Sequence, residues 1–403
     1  MAEPVLVPGL ELCLSIGVLS TVILVRLAVS LHPYSGEGQP PMYGDYEAQR
    51  HWMEITYNLP IHEWYENTTD NRLQYWGLDY PPLTAYHSWL CGAVASRINP
   101  SWVSLHLSRG FESYHHKLFM RYTVLAVDVL VYFTAAVVFS RLVYRNKDAM
   151  WERISLLGLL LLTPALIIID HGHFQYNCAS LGLTFWAIIA VTTDHNVTGS
   201  VLFALALNYK QMELYHAVPF FCYLLGKSVA GSGSGGEFLK RVGLLGVAVG
   251  GTFVACWFPF LGSWDQTLQV VHRLFPFARG LYEDKVANVW CSLSVLVKLR
   301  RLFSLSTLVK VTAVSTVTAL VPSSWNLYET PPLSDSSWPW LTPPSSSSCS
   351  RTKSTRSRFS WHSSPAPSSP LTTLTSSPGS SYWQSSPCTL SSPRTDWFWH
   401  AAP

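Results

Sequence analysis

Residues 41–60 read P-M-Y-G-D-Y-E-A-Q-R-H-W-M-E-I-T-Y-N-L-P, residues 61–70 I-H-E-W-Y-E-N-T-T-D, and residues 73–82 L-Q-Y-W-G-L-D-Y-P-P. Acids, aromatics and prolines crowd this stretch, which lies between apolar runs at about Leu10–Leu31 and Leu118–Val143. Each run reaches the roughly 20 residues that a bilayer core requires. A loop so polar does not enter lipid, and one so aromatic is not an idle linker. The pattern predicts that residues 32–117 form the working face of a membrane enzyme.

Composition supports a chain that lives in lipid. Of 403 residues 13% are charged and 48% hydrophobic, against about 25% charged in a typical soluble domain. Mean hydropathy is +0.19, which points to several spanning helices. The net charge of +3 is small and silent on nucleic acid; no basic run long enough to track a phosphate backbone is present, so no nucleic-acid partner is expected. None of the eight cysteines forms a C-x-x-C, so no zinc site or disulfide framework is legible.

The basic clusters set an orientation. The first run lacks a basic start and a small-residue cleavage site, and reads as an uncleaved signal anchor with a cytosolic N-terminus. The second ends in Arg141, Arg145, Lys147 and Arg153, which marks the cytosolic side and puts loop 32–117 in the lumen. Asn67-Thr68-Thr69 is then a glycosylation acceptor. Ile154–Asp170 would return to the lumen and Ala179–Thr193 to the cytosol. Val201–Leu207 and His216–Leu225 are too short to span, and suggest broken helices meeting at Asn208–Tyr215. Lys227, Lys240 and Arg241 flank a Gly-Ser linker at Gly231–Gly236. Val242–Leu261, Trp290–Val297 and Leu302–Val321 complete the expected spans, with a polar loop at Trp264–Asn288 and a basic group at Lys298, Arg300 and Arg301. Residues 1–322 therefore read as an all-α polytopic membrane domain, and residues 323–403 as a Ser/Pro-rich tail of disordered composition.

For chemistry, any single acid or histidine in such a loop is ordinarily solvated surface. The H-x-H of His171 and His173 lacks a third ligand at fixed spacing, which disfavours zinc. No D-x-D, phosphate-binding glycine loop, G-x-S-x-G or H-E-x-x-H occurs, leaving nucleotide-sugar, nucleoside-triphosphate and hydrolase chemistry unsupported. What remains is a carboxylate group, Asp45, Glu47 and Asp79, beside the membrane surface, where an acid can act as general base toward a lipid-linked substrate. A transporter would instead show internal repeats and intramembrane charge pairs, and neither is evident.

Six runs carry a resemblance: G-D-Y-E-A-Q-R-H-W (Gly44–Trp52), W-G-L-D-Y-P-P-L-T-A-Y (Trp76–Tyr86), H-K-L-F-M-R (His116–Arg121), G-H-F-Q-Y-N (Gly172–Asn177), N-Y-K-Q-M-E-L-Y-H-A (Asn208–Ala217) and E-D-K-V-A-N-V-W-C (Glu283–Cys291). From about Tyr34 to Leu320 the chain resembles the endoplasmic reticulum glucosyltransferases that use dolichyl phosphate glucose. Within that family it looks like the enzymes that add the first glucose, in α-1,3 linkage, to the nine-mannose dolichyl-diphosphate oligosaccharide. The sister group that adds the second glucose shares D-Y-P-P and ranks behind. The resemblance implies a GT-C-type fold in the endoplasmic reticulum membrane, with Asp45 as the base. Asp45 would take the acceptor mannose proton while that oxygen attacks the anomeric carbon, and dolichyl phosphate would leave from the other face with inversion. No metal or other cofactor is called for. Glu47, Asp79, His171 and Lys210 are candidates for substrate contacts, the last two for the leaving phosphate.

The tail departs from the family, which continues with further helices and a luminal V-H-E-K-S-I-L-L whose His is associated with the donor phosphate. Lys353–Trp361 can be encoded AAG TCC ACG AGA AGT CGA TTC TCC TGG. Read from the third base this gives V-H-E-K-S-I-L-L, which implies a frame change near residues 320–330. On that reading the C-terminal part of the fold is missing and the site is half present, so an inactive fragment stands as an alternative to the enzyme.

Overall fold

Twenty-one residues from Leu10 to Ser30 form α1, about 31 Å of helix, which matches a bilayer core. This computed structural model describes residues 9–145, 149–275 and 289–329, and among them every regular element is helical. The loop that follows α1 is itself folded, around α2 (Gly44–Asn58) and α3 (Pro82–Ile98). Then come α4 (Tyr114–Val143), α5 (Met150–Phe174), α6 (Asn177–Thr192), α7 (Asn196–Tyr209), α8 (Leu214–Ala230), α9 (Gly235–Trp257), α10 (Trp264–Leu274), α11 (Val289–Leu296) and α12 (Leu305–Glu329). Five helices, α1, α4, α5, α9 and α12, are long and apolar enough to cross a membrane. The chain is a multi-pass membrane protein of the all-α class.

Several expected boundaries move. The runs at 201–207 and 216–225 lengthen to the 14 residues of α7 and the 17 of α8, because Asn208, Tyr209 and the small residues around Ser200 and Lys227 find partners inside the bundle. The break at Lys210–Glu213 remains, as one 3₁₀ turn. Trp290–Val297 does not make a span: α11 has eight residues, about 12 Å. The last helix passes the boundary at 322 and ends at Glu329. The Gly-Ser linker is shorter than expected, since Ser234 caps α9 and Gly235 begins it. Lys227 is no loop residue; it is buried in α8, 2.6 Å from Asp194. Lys147, residues 283–288 of E-D-K-V-A-N and the tail from residue 330 lie outside the described residues.

The polar ends of the helices gather where loop 32–117 sits. Gln266 and Gln269 of α10 donate to the His62 and Tyr65 carbonyls, and Arg273 to those of Gly77 and Leu78. At the opposite end Arg153 bridges Glu11 at 2.6 Å and donates to the Tyr144 carbonyl. Loop 32–117 and the Arg153–Glu11 pair thus lie at different ends of the helices.

The loop is far from solvated surface. Eleven consecutive residues of α2, Tyr46–Thr56, are buried although the sequence is polar. Their charged groups are paired internally. Arg50 takes both Glu47 oxygens at 2.7 Å and Glu54 at 2.6 Å, and donates to Ser108 Oγ at 2.6 Å. Such buried groups are tolerable only when paired and hydrogen-bonded throughout. Helices α2 and α3 approach closely because Gly92 lies against the Met53 carbonyl, where a Cβ would come to 2.7 Å.

The membrane interior holds a charge cluster that the sequence did not reveal. Arg26 of α1 pairs with Asp128 of α4, both fully buried, and donates to the Leu161 carbonyl at 2.8 Å. His171 of α5 meets the same Asp128 oxygen at 2.9 Å. Asp128 and His171 both lie in π-helical turns, Asp128–Phe133 and Ile167–Phe174, where the wider turn re-aims side chains. The expectation of no intramembrane charge pair is corrected. The cluster ties three helices together, α1, α4 and α5, and is a packing device, since each charge faces protein.

Candidate active site

Asp45 enters the site because the chain before it is tightly constrained. Tyr43 and Gly44 both adopt left-handed backbone, φ 54° and 73°. A Cβ on Gly44 would collide with the Ser35 carbonyl, so the position requires glycine. Trp76 Nε1 donates to the Met42 carbonyl at 2.6 Å and fixes the approach from outside. Asp45 follows in the first turn of α2, the end of a helix that favours negative charge. The next residue, Tyr46, is buried: it stacks on Tyr34 with ring centroids 3.9 Å apart, and its hydroxyl meets His116 at 2.8 Å.

Three elements converge on the Gly172–Asn177 segment, where α5 ends and α6 begins. Both His173 Nε2 and Gln175 Nε2 donate to Asp45 Oδ2, each at 2.9 Å. Lys210, just past α7, donates to Gln175 Oε1 at 3.1 Å and to Asn177 Oδ1. Arg121 of α4 donates to the Gly172 carbonyl at 2.9 Å. The segment is held in shape by Asp170, which accepts the Asn177 and Cys178 backbone N–H groups at the start of α6. It turns at Phe174, whose φ of 92° is unusual for a residue with a bulky side chain and is sustained by burial against Tyr46 and Tyr176.

The arrangement leaves Asp45 available. Its side chain is 37% exposed, and both contacts fall on Oδ2, so among the described residues Oδ1 has no hydrogen-bond partner. A carboxylate oriented through one oxygen and open at the other is suited to accept a proton from an incoming hydroxyl.

The other candidates lie in different surroundings. Glu47 is buried in the Arg50 network and accepts the Tyr75 hydroxyl at 2.8 Å. His171 faces the membrane cluster at Asp128, not Asp45. Two residues apart on a helix, His171 and His173 must point to nearly opposite sides. That spacing was the available sign that only one of them could face the loop. Asp79 is half-buried beside the site, its carbonyl accepting Gln211 Nε2 at 3.2 Å. Lys210 is brought to the site, its ammonium 5.0 Å from the Tyr80 ring centroid. Asn67 is exposed, with its Oδ1 accepting the Leu73 N–H. His173, Gln175, Asn177 and Arg121 stand in the quoted motifs, but only proximity in space shows which of them reach Asp45.

A sequence profile of the ALG6, ALG8 glycosyltransferase family matches residues 22–340. The chain belongs to this family. Its relatives include proteins named dolichyl pyrophosphate Man9GlcNAc2 alpha-1,3-glucosyltransferase from Gallus gallus, 53% identical over 316 residues (78% of this chain, 62% of the relative), and from Pongo abelii, 55% over 278 residues (69% and 54%). A probable enzyme of the same name from Drosophila melanogaster is 48% identical over 309 residues (76% and 64%). The chain thus spans 54% to 64% of the length of these relatives. The family match includes every residue of the Asp45 site.

Proposed function

We propose that the chain is an inverting α-1,3-glucosyltransferase that moves glucose from dolichyl phosphate glucose to the nine-mannose dolichyl-diphosphate oligosaccharide. The observation that carries the reading is Asp45 itself, with Oδ2 fixed by His173 and Gln175 and Oδ1 open. Oδ1 takes the proton of the acceptor hydroxyl as that oxygen forms its bond to the anomeric carbon. The bond from that carbon to the phosphate oxygen breaks on the opposite face, and its electron pair leaves with dolichyl phosphate. The relatives' names support the acceptor and the linkage. Support for a lipid-linked donor comes from the site's position at the ends of membrane helices and from the lack of a D-x-D for nucleotide sugar.

The site end is assigned to the endoplasmic reticulum lumen and the Arg141–Arg153 end to the cytosol, by the bias of positive charge. Asn67 then carries a glycan, which a glycosidase-sensitive mass shift lost in Asn67→Gln would show. Purified protein in lipid is offered the lipid-linked acceptor with either dolichyl phosphate glucose or a nucleotide-activated glucose. Transfer from the first alone, giving an α-linked product, is expected. Transfer from the nucleotide sugar alone would overturn the reading.

A further inference from the structure

Most buried cations described here have a carboxylate in contact. Arg26 has Asp128, Arg50 has Glu47 and Glu54, Arg153 has Glu11, and Lys227 has Asp194. Lys210 and Arg121 differ. They are 7% and 3% exposed, and their hydrogen bonds go only to neutral groups: Gln175 and Asn177 for Lys210, the Gly172 carbonyl for Arg121. Both grip the same segment that positions Asp45.

Local charge separates the two. Lys210 is within electrostatic reach of four carboxylates, Asp170, Asp45, Glu213 and Asp79, which already surround its charge. Around Arg121 the electrostatic influences are Glu37 and the Tyr46 and Tyr34 hydroxyls, the latter two kept neutral by burial. Glu37 is already held by Lys117 at 3.1 Å, one turn earlier on α4. Among the described residues Arg121 Nε and Nη1 are buried without a hydrogen-bond partner, and the guanidinium lies 5.7 Å from the Phe174 ring centroid. A guanidinium does not shed its proton, and a buried one without an anion is costly.

We infer that Arg121 is the binding site for the phosphate of a lipid monophosphate, the counter-ion that this pocket lacks. The inference rests on the functional reading above and assigns the leaving group to α4, not to Lys210 or His171. Gly172, whose carbonyl Arg121 holds, is the neighbour of His173, which holds the base. The two ends of the displacement are thus mounted on adjacent residues, with Asp45 toward the acceptor and Arg121 toward the departing phosphate. Glucose would lie between them, its phosphate neutralised as charge develops.

The test is binding, which needs no turnover. Purified full chain in detergent is titrated with a short-chain polyprenyl phosphate, with the parent polyprenol, and with inorganic phosphate. Saturable binding of the first, with the other two at least tenfold weaker, is expected and identifies a lipid headgroup. If inorganic phosphate competes equally, the site is one for free phosphate and the lipid assignment falls. Arg121→Gln is expected to weaken polyprenyl phosphate binding at least tenfold. Unchanged binding by folded Arg121→Gln overturns the Arg121 assignment and leaves the glucosyltransferase reading standing. No binding by the wild type overturns both. Should Arg121→Gln not fold, ¹⁵N–³¹P dipolar coupling is measured between labelled guanidinium groups and the bound lipid phosphorus. Coupling that is present in wild type and absent in Arg121→Lys supports the assignment, and no arginine coupling overturns it.

Discussion

Asp45 and His173 lie 128 residues apart and meet at 2.9 Å, with Gln175 on the same carboxylate oxygen. One oxygen of the acid is thereby committed to the scaffold and the other is free. On the proposed function, Asp45→Asn keeps an acceptor for Gln175 but loses the base. Glucose transfer is expected to fall about 10²- to 10⁴-fold, the range for a general base. A loss of only a few-fold in initial rate would sink the assignment.

His173 and Gln175 act through Asp45. Either alanine variant is expected to lower kcat by roughly 10- to 100-fold, because a misplaced catalytic group costs rates of that order. In the Asp45→Asn background the same changes are expected to have little further effect, since residues in one network are not additive. A full multiplicative loss in the double variant would show an independent role.

The Arg26–Asp128–His171 cluster lies fully buried among α1, α4 and α5. Arg26→Met strands the Asp128 carboxylate and is expected to destabilise the fold by about 3–5 kcal/mol. Adding Asp128→Leu removes the stranded charge and should recover much of that loss. Detergent-solubilised melting of both variants decides; a double variant as unstable as the single one would contradict the account.

Acid should loosen the loop before it touches the rest. Burial holds the His51 imidazole below its ordinary 6.5, against the pull of Glu54. Below that pH the unfolded chain binds a proton that the folded chain refuses, so stability falls. Burial would raise the Glu54 carboxyl, but His51 and Arg50 override it and hold it down to about 2. Its contribution is complete above pH 4.5 and is lost as the pH falls toward 2. Limited proteolysis of loop 32–117 is expected to accelerate from about pH 6.5 downward. His51→Gln, which cannot take up the proton, should shift the onset toward pH 4.5; an unchanged onset would discount His51.

Gly226 fixes the seat of the last helix. It lies against the Tyr328 carbonyl of α12, at a separation that leaves no room for a Cβ. Gly226→Leu is expected to push α12 away from α8, lowering the yield of a crosslink between cysteines placed at facing positions of the two helices. An undiminished yield would refute the contact.

Much of this protein was legible in one dimension. Apolar runs of bilayer length, basic clusters between alternate runs, and the dense loop at Pro41–Pro82 determine an all-α multi-pass chain with its polar motifs at one end. Lipid solvates no loose polar backbone, so length and charge alone carry that information. The motif wording likewise pointed to Asp45 and to the family. Tertiary structure decided which polar residues are locked into the scaffold and which keep an open atom. Glu47 and Asp45, two residues apart, look equivalent in sequence, yet one is locked to Arg50 and the other opens toward the site. His171 and His173 divide in the same way, between Asp128 and Asp45. Arg26, Asp128 and Arg121 sit in apolar or mixed runs, where a charge is meaningful only through what it meets. Those meetings depend on helix rotation, on two π-helical turns and on the reversal at Phe174, and no local spacing encodes them.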